Sequence, residues 1–194
     1  MERRDLLKLI TVASGAAFIG LPALAYDKVP PVPLSETGFT KEDVMYLNDI
    51  AGVIIPKTDT PGAKEANVGE LMAVIVADCY TADQQALFKK AMKDIDAAAK
   101  TAHNKPFMVL SDEQKLALLT RIDEEALAYN AKNGMPGIVM AKPSHREPDS
   151  TFPLPHPYSL IKQLTLFGFF TSKEGATQVL RYVAIPGRYD GNMP

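Results

Sequence analysis

The side chains able to do acid, base, nucleophilic or metal chemistry are few in this chain and poorly spaced for it. His103, His145 and His156 form no i, i+4 pair and have no carboxylate at metal-ligand spacing. They read as solvated or structural histidines. Asp123-Glu124-Glu125 and the pair Glu147 and Asp149 read as solvated surface rather than as a general acid and base. The single cysteine, Cys79, excludes an intramolecular disulfide. Its place in the apolar run 71–79 predicts a buried small hydrophobe rather than a reactive thiol. The sequence has no G-x-G-x-x-G, no phosphate-binding loop, no C-x-x-C-H haem site and no G-x-S-x-G elbow. These residues assign no catalytic group and no metal site. The chain is expected not to be an enzyme on its own, and any chemistry falls to another subunit.

The elements that would position such residues are helical. Of the 194 residues, 46% are hydrophobic and 23% charged, which excludes a disordered polyelectrolyte and a coiled coil. A net charge of −2 offers no basic field to nucleic acid. Thr40 followed by Asp43 predicts a capped helix start, with Phe39 stapling to Val44 and with Val44, Leu47, Ala51 and Ile54 on one face. Pro56 ends that helix. Thr58-Asp59-Thr60-Pro61-Gly62 reads as a turn. Residues 68–80 are apolar nearly all round and read as a buried central helix, with a buried strand as the competitor.

Two further capping boxes follow. Thr81-x-x-Gln84 precedes Leu87, Phe88, Ala91, Met92, Ile95 and Ala99 on one face. Ser111-x-x-Gln114 precedes Leu116, Leu119, Ile122, Ala126 and Leu127, and that helix stops at Asn133-Gly134. Residues 135–157 carry six prolines in 23 positions and cannot continue a helix. Residues 158–170 resume one, with Leu160, Ile161, Leu164 and Phe167 in register. The apolar end Phe167-Gly168-Phe169-Phe170 needs covering by a partner or by a neighbouring helix. Tyr158, Phe169 and Phe170 read as core residues, with an interface as the alternative. The fold class is all-α, with a long proline-rich loop and an extended C-terminal tail.

The first 25 residues read as an export signal. Arg3-Arg4 with Leu6, Leu7 and Lys8 is similar to the twin-arginine signal that carries folded cargo across the bacterial inner membrane. An apolar run of 13 residues follows, too short for a lasting membrane anchor. Ala23-Leu24-Ala25 then supplies small residues at a cleavage site, at Ala23 and Ala25. Cleavage would remove three basic and two acidic residues and leave a net charge of −3. The domain reading is a signal over 1–25, an extended proline-rich linker over 26–38 and one helical domain over 39–194. A twin-arginine route for a chain without a cofactor site is a mismatch that a cargo partner would resolve.

The C-terminus carries a resemblance that implies such a partner. Thr171-Ser172-Lys173-Glu174-Gly175-Ala176-Thr177-Gln178-Val179-Leu180-Arg181-Tyr182, followed by Ile185-Pro186-Gly187-Arg188-Tyr189-Asp190-Gly191, resembles the signature of the gluconate 2-dehydrogenase subunit 3 family. Ile54-Ile55-Pro56-Lys57-Thr58-Asp59-Thr60-Pro61-Gly62-Ala63 is similar to a second stretch of that family. The resemblance implies a non-catalytic small subunit of a periplasmic, membrane-associated dehydrogenase acting on a sugar, sugar acid or polyol such as gluconate or glucose. It implies an FAD-containing large subunit of the glucose–methanol–choline type, which holds the catalytic histidine. A multihaem cytochrome c subunit would pass electrons on. This chain would carry the export signal for the folded flavoprotein and stabilise it.

Residue types in the tail suit an interface. Arg181 and Arg188 are planar bidentate donors, and Tyr182 and Tyr189 are rigid anchors with polar tips. Pro186-Gly187 sets a turn and Asp190 begins another. The alternative is a self-contained secreted helical binding module that uses its proline-rich loop.

Overall fold

The computed structural model describes residues 33–135, 154–180 and 182. Among them there is no strand, and the fold is all-α. The elements are α1 (Leu34–Thr37), α2 (Lys41–Ile54), α3 (Val68–Cys79), α4 (Ala82–His103), a 3-10 turn (Phe107–Val109), α5 (Asp112–Lys132), α6 (Pro157–Thr171) and a π-turn (Gly175–Val179). All belong to one unit that starts at Leu34.

Local chemistry sets the helix starts. Thr40 Oγ1 accepts the Asp43 N–H at 3.1 Å while Asp43 Oδ2 accepts the Thr40 N–H at 2.9 Å. Thr81 with Gln84 and Ser111 with Gln114 repeat the reciprocal pair at α4 and α5. Each box satisfies two donors that the first turn leaves free. At the other ends, Asn104 closes α4 in the left-handed region at φ 53°, and Asn133-Gly134 closes α5, as the sequence predicts.

Packing differs from the sequence reading in its centre. Helix α6 touches α2, α3, α4 and α5, so it is the central helix. Helix α3 buries Val68, Met72, Ala73 and Val76 but leaves Leu71, Asp78 and Cys79 exposed. Cys79 is therefore not the buried hydrophobe expected of it; it ends α3 on the outward side. Phe39 lies edge-on to Phe88 with centroids 6.1 Å apart, which ties the start of α2 to α4.

The inward face of α5 is also rotated from expectation. Leu116 and Leu127 are exposed, and Lys115, Leu118 and Asn130 are buried beside Leu119, Ile122 and Ala126. On α6, Phe167 is 52% exposed, while Thr165, Gly168 and Phe169 face inward. Tyr158 and Phe169 are core residues, whereas Phe170 is exposed. Finally, Leu34–Thr37 is helical rather than extended, and it contacts α3, with Thr37 buried.

Candidate interaction surface

The titratable side chains singled out in the sequence do not converge. His103 ends α4. His156 precedes α6 as its N-cap, with Nδ1 accepting the Tyr158 N–H at 3.3 Å. His145, Glu147 and Asp149 lie outside the described residues. Asp123 is not merely solvated: both of its oxygens sit 2.6–2.7 Å from Lys162 Nζ and join α5 to α6. Among the described residues, no three His, Cys, Asp or Glu side chains gather as a metal site would require.

Burial perturbs three phenols. Tyr46, whose hydroxyl donates to the Met92 carbonyl at 3.1 Å, is held above the ordinary tyrosine range by burial and then by the Asp96 and Asp49 carboxylates. Burial likewise raises Tyr158, with Asp123 adding to it. Tyr80 is pushed up to about 12 by burial and by the neighbouring Cys79. These phenols are neutral at physiological pH and belong to the core rather than to a reactive cleft.

The first of the two family-like stretches is a tight connection between α2 and α3. The Ala63 N–H returns to the Ile55 carbonyl at 3.0 Å, and the Thr58 N–H reaches the Thr60 carbonyl at 3.0 Å. Gly62 N–H donates to Glu65 Oε2 at 2.9 Å. A Cβ on Gly62 would stand 2.6 Å from both the Ile55 oxygen and the Lys57 nitrogen, so only glycine lets the loop fold back so closely. Asn48 then locks the loop onto α3, donating to Asn67 Oδ1 and accepting the Gly69 N–H, both at 2.7 Å. This stretch works as a structural clasp.

The second stretch shapes a surface. Ser172 ends α6, and its hydroxyl donates to the Phe169 carbonyl at 2.7 Å while accepting the Gly175 N–H at 3.0 Å. The chain then winds through the π-turn, closed by the Leu180 N–H on the Gly175 carbonyl at 2.9 Å. A Cβ at Gly175 would collide with the Phe169 oxygen, which fixes glycine there. The tail is therefore not simply extended: its first part is a turn folded back against the end of α6.

Between α6 and this turn lies an open, chiefly apolar groove of about 700 Å³, lined by Phe170, Lys173, Ala176, Leu180 and Tyr182 among others. Leu180 is 46% exposed and Tyr182 63% exposed, and Phe167 and Val179 are exposed nearby. So many apolar side chains at one end of a small helical unit form a surface suited to burial against another polypeptide. Tyr182 is the one predicted interface residue among the described residues, and it stands on the groove wall. Arg181, Pro186, Gly187, Arg188, Tyr189 and Asp190 lie outside them, as do Arg3, Arg4, Leu6, Leu7, Lys8, Ala23 and Ala25. Sequence reasoning missed Leu180 and Val179 as surface residues, although it marked the apolar end of α6 as needing cover.

No curated protein and no solved structure gives a significant match to the chain. The family model described as gluconate 2-dehydrogenase subunit 3 matches residues 41–187, a span that holds helices α2 to α6, the clasp and the groove. The chain belongs to the gluconate 2-dehydrogenase subunit 3 family.

Proposed function

We propose that this chain is the non-catalytic small subunit of a periplasmic, FAD-dependent dehydrogenase that oxidises a sugar, sugar acid or polyol, gluconate and glucose being the leading cases. The catalytic subunit is a flavoprotein of the glucose–methanol–choline type. A multihaem cytochrome c carries electrons onward. The observation that carries this reading is the family match across residues 41–187. The apolar groove at the end of α6 supports it by offering the large subunit a surface to bury.

In this reading the signal at Arg3 and Arg4 exports the folded flavoprotein together with its escort, and the assembled complex is membrane-associated. The tail residues Arg181, Arg188 and Tyr189 extend the contact that Tyr182 and Leu180 begin. The chain's own task is to bind, to stabilise and to accompany. FAD and haem c belong to its partners.

The test is a pull-down of the tagged full-length chain from its native host, followed by an absorption spectrum. A second, larger polypeptide with flavin bands at about 450 nm is the expected result. Bleaching of those bands by one candidate sugar or polyol then names the substrate. A solitary, colourless chain recovered from intact periplasm overturns the proposal and favours the secreted binding module.

A further inference from the structure

We propose that His156 is a proton-operated latch at the junction between the proline-rich segment and α6. The junction hangs on one buried side chain. Asn130 of α5, 2% exposed, accepts the His156 backbone N–H on Oδ1 at 2.9 Å and donates from Nδ2 to Ser159 Oγ at 2.8 Å. The main-chain carbonyl of Asn130 accepts the Met135 N–H at 2.8 Å. Met135 and His156, on the two sides of residues 136–153, are thus both fastened to Asn130.

The His156 ring completes this junction in one protonation state only. Its Nδ1 accepts the Tyr158 N–H, a donor of the first turn of α6 that has no partner within the helix. Pro157, at the first helical position, has no N–H to offer in its place. The bond fixes the neutral tautomer with hydrogen on Nε2. The ring also lies edge-on to Tyr129, with centroids 5.7 Å apart.

Protonation turns Nδ1 from acceptor to donor and points its hydrogen at the Tyr158 N–H. It also sets a positive charge on the N-terminus of α6, where the helix dipole opposes it. The charged groups that act on the ring are Lys90 and Asp94 from α4 and Glu125 from α5. Tyr129 is the phenol beside it. Burial is the largest influence and holds the imidazole below its ordinary value of 6.5; Asp94 and Glu125 pull the other way, and Lys90 adds to burial. A histidine depressed in the folded state lends stability that is present above pH 6.5 and is lost as pH falls through its lower folded value. Mild acid therefore loosens the attachment of residues 154–157 to α5 and uncaps α6.

The test is amide hydrogen exchange at Tyr158 in the full-length chain, corrected for the intrinsic rate at each pH and followed alongside NMR titration of the His156 ring. Below pH 6.5 the corrected exchange should accelerate, approaching about tenfold per pH unit, and level off at the ring's own midpoint. His156→Asn supplies a non-titrating N-cap and should remove the acceleration. The latch is overturned if Tyr158 exchange ignores the ring's titration, or if His156→Asn accelerates like the wild type. If that variant does not fold, the wild-type comparison still decides: a ring midpoint at or above 6.5, or one unrelated to the Tyr158 profile, rejects the proposal.

Discussion

Lys115 Nζ of α5 lies 2.6 Å from Asp49 Oδ2 of α2, with only 8% and 12% of the two side chains exposed. The carboxylate's other oxygen meets Lys64 Nζ at 3.1 Å, and the Lys115 ammonium also stands 5.7 Å from the centre of the Phe107 ring. One acidic residue thereby joins α2, the clasp and α5. Lys115→Met should destabilise the chain by about 3 kcal/mol, because Asp49 is left buried with only an exposed lysine for company. Adding Asp49→Leu should recover most of that loss. Urea unfolding of the two variants provides the comparison.

The π-turn depends on glycine. Gly175→Ala forces a methyl group onto the Phe169 carbonyl, and backbone must move to admit it. A stability loss of about 1–3 kcal/mol is expected, together with exposure of the groove segment to protease. An unchanged thermal midpoint and protease pattern would show that the turn is not held as described.

Asp96 gives a pH dependence in the same direction as that of His156, from a carboxylate whose charged form is the favoured one. Its carboxylate is held below its ordinary 3.8, chiefly by the hydrogen bond from Lys100, with the Phe107 N–H and the Lys100 charge adding to this and burial opposing. A depressed carboxylate contributes stability that is present above pH 3.8 and lost as pH falls through its folded value. Asp96→Asn should therefore be less stable than the wild type at neutral pH, and the gap should narrow below that range. Thermal melts across an acid series measure it.

The groove is testable without disturbing the core. Leu180→Asp and Tyr182→Ala touch exposed side chains, so stability of the isolated chain should stay within about 0.5 kcal/mol. Association with the catalytic subunit should weaken by about 2 kcal/mol or more if these are anchors. Titration calorimetry or co-purification yield separates the two effects.

Export is tested at the other end of the chain. Under the proposed function, changing Arg3 and Arg4 to lysine should leave both this chain and its flavoprotein partner in the cytoplasm. Normal periplasmic levels of the flavoprotein in that strain would remove the escort role while leaving a stabilising role intact.

The parts of the fold that were legible in the sequence are those fixed by near neighbours. Three capping boxes could be read because an N-cap and its third following residue satisfy each other within one turn. The family resemblance was legible too, in two continuous stretches. The face of α5 was not, because Lys115 and Asn130 are polar yet buried. Their partners, Asp49 on α2, Ser159 on α6 and His156 just before it, are brought near only by the tertiary fold. A hydropathy stripe places Leu116 and Leu127 inward for the same reason. Cys79 misled because the run over 71–79 is apolar but for Asp78, whereas Cys79 itself lies on the outward face of α3 while Tyr80 beyond it is buried. The π-turn has no periodicity to read, and only Ser172 followed by Gly175 hints at it.

Two bonds of different origin meet at Asn130: its main-chain carbonyl takes the Met135 N–H, and its side-chain amide oxygen takes the His156 N–H. A backbone carbonyl at position 130 makes the first bond whatever the side chain, whereas the second needs an acceptor of the asparagine's reach. The asparagine is thus a one-sided rivet: it holds the start of α6 to α5 and leaves the closure of α5 to the backbone.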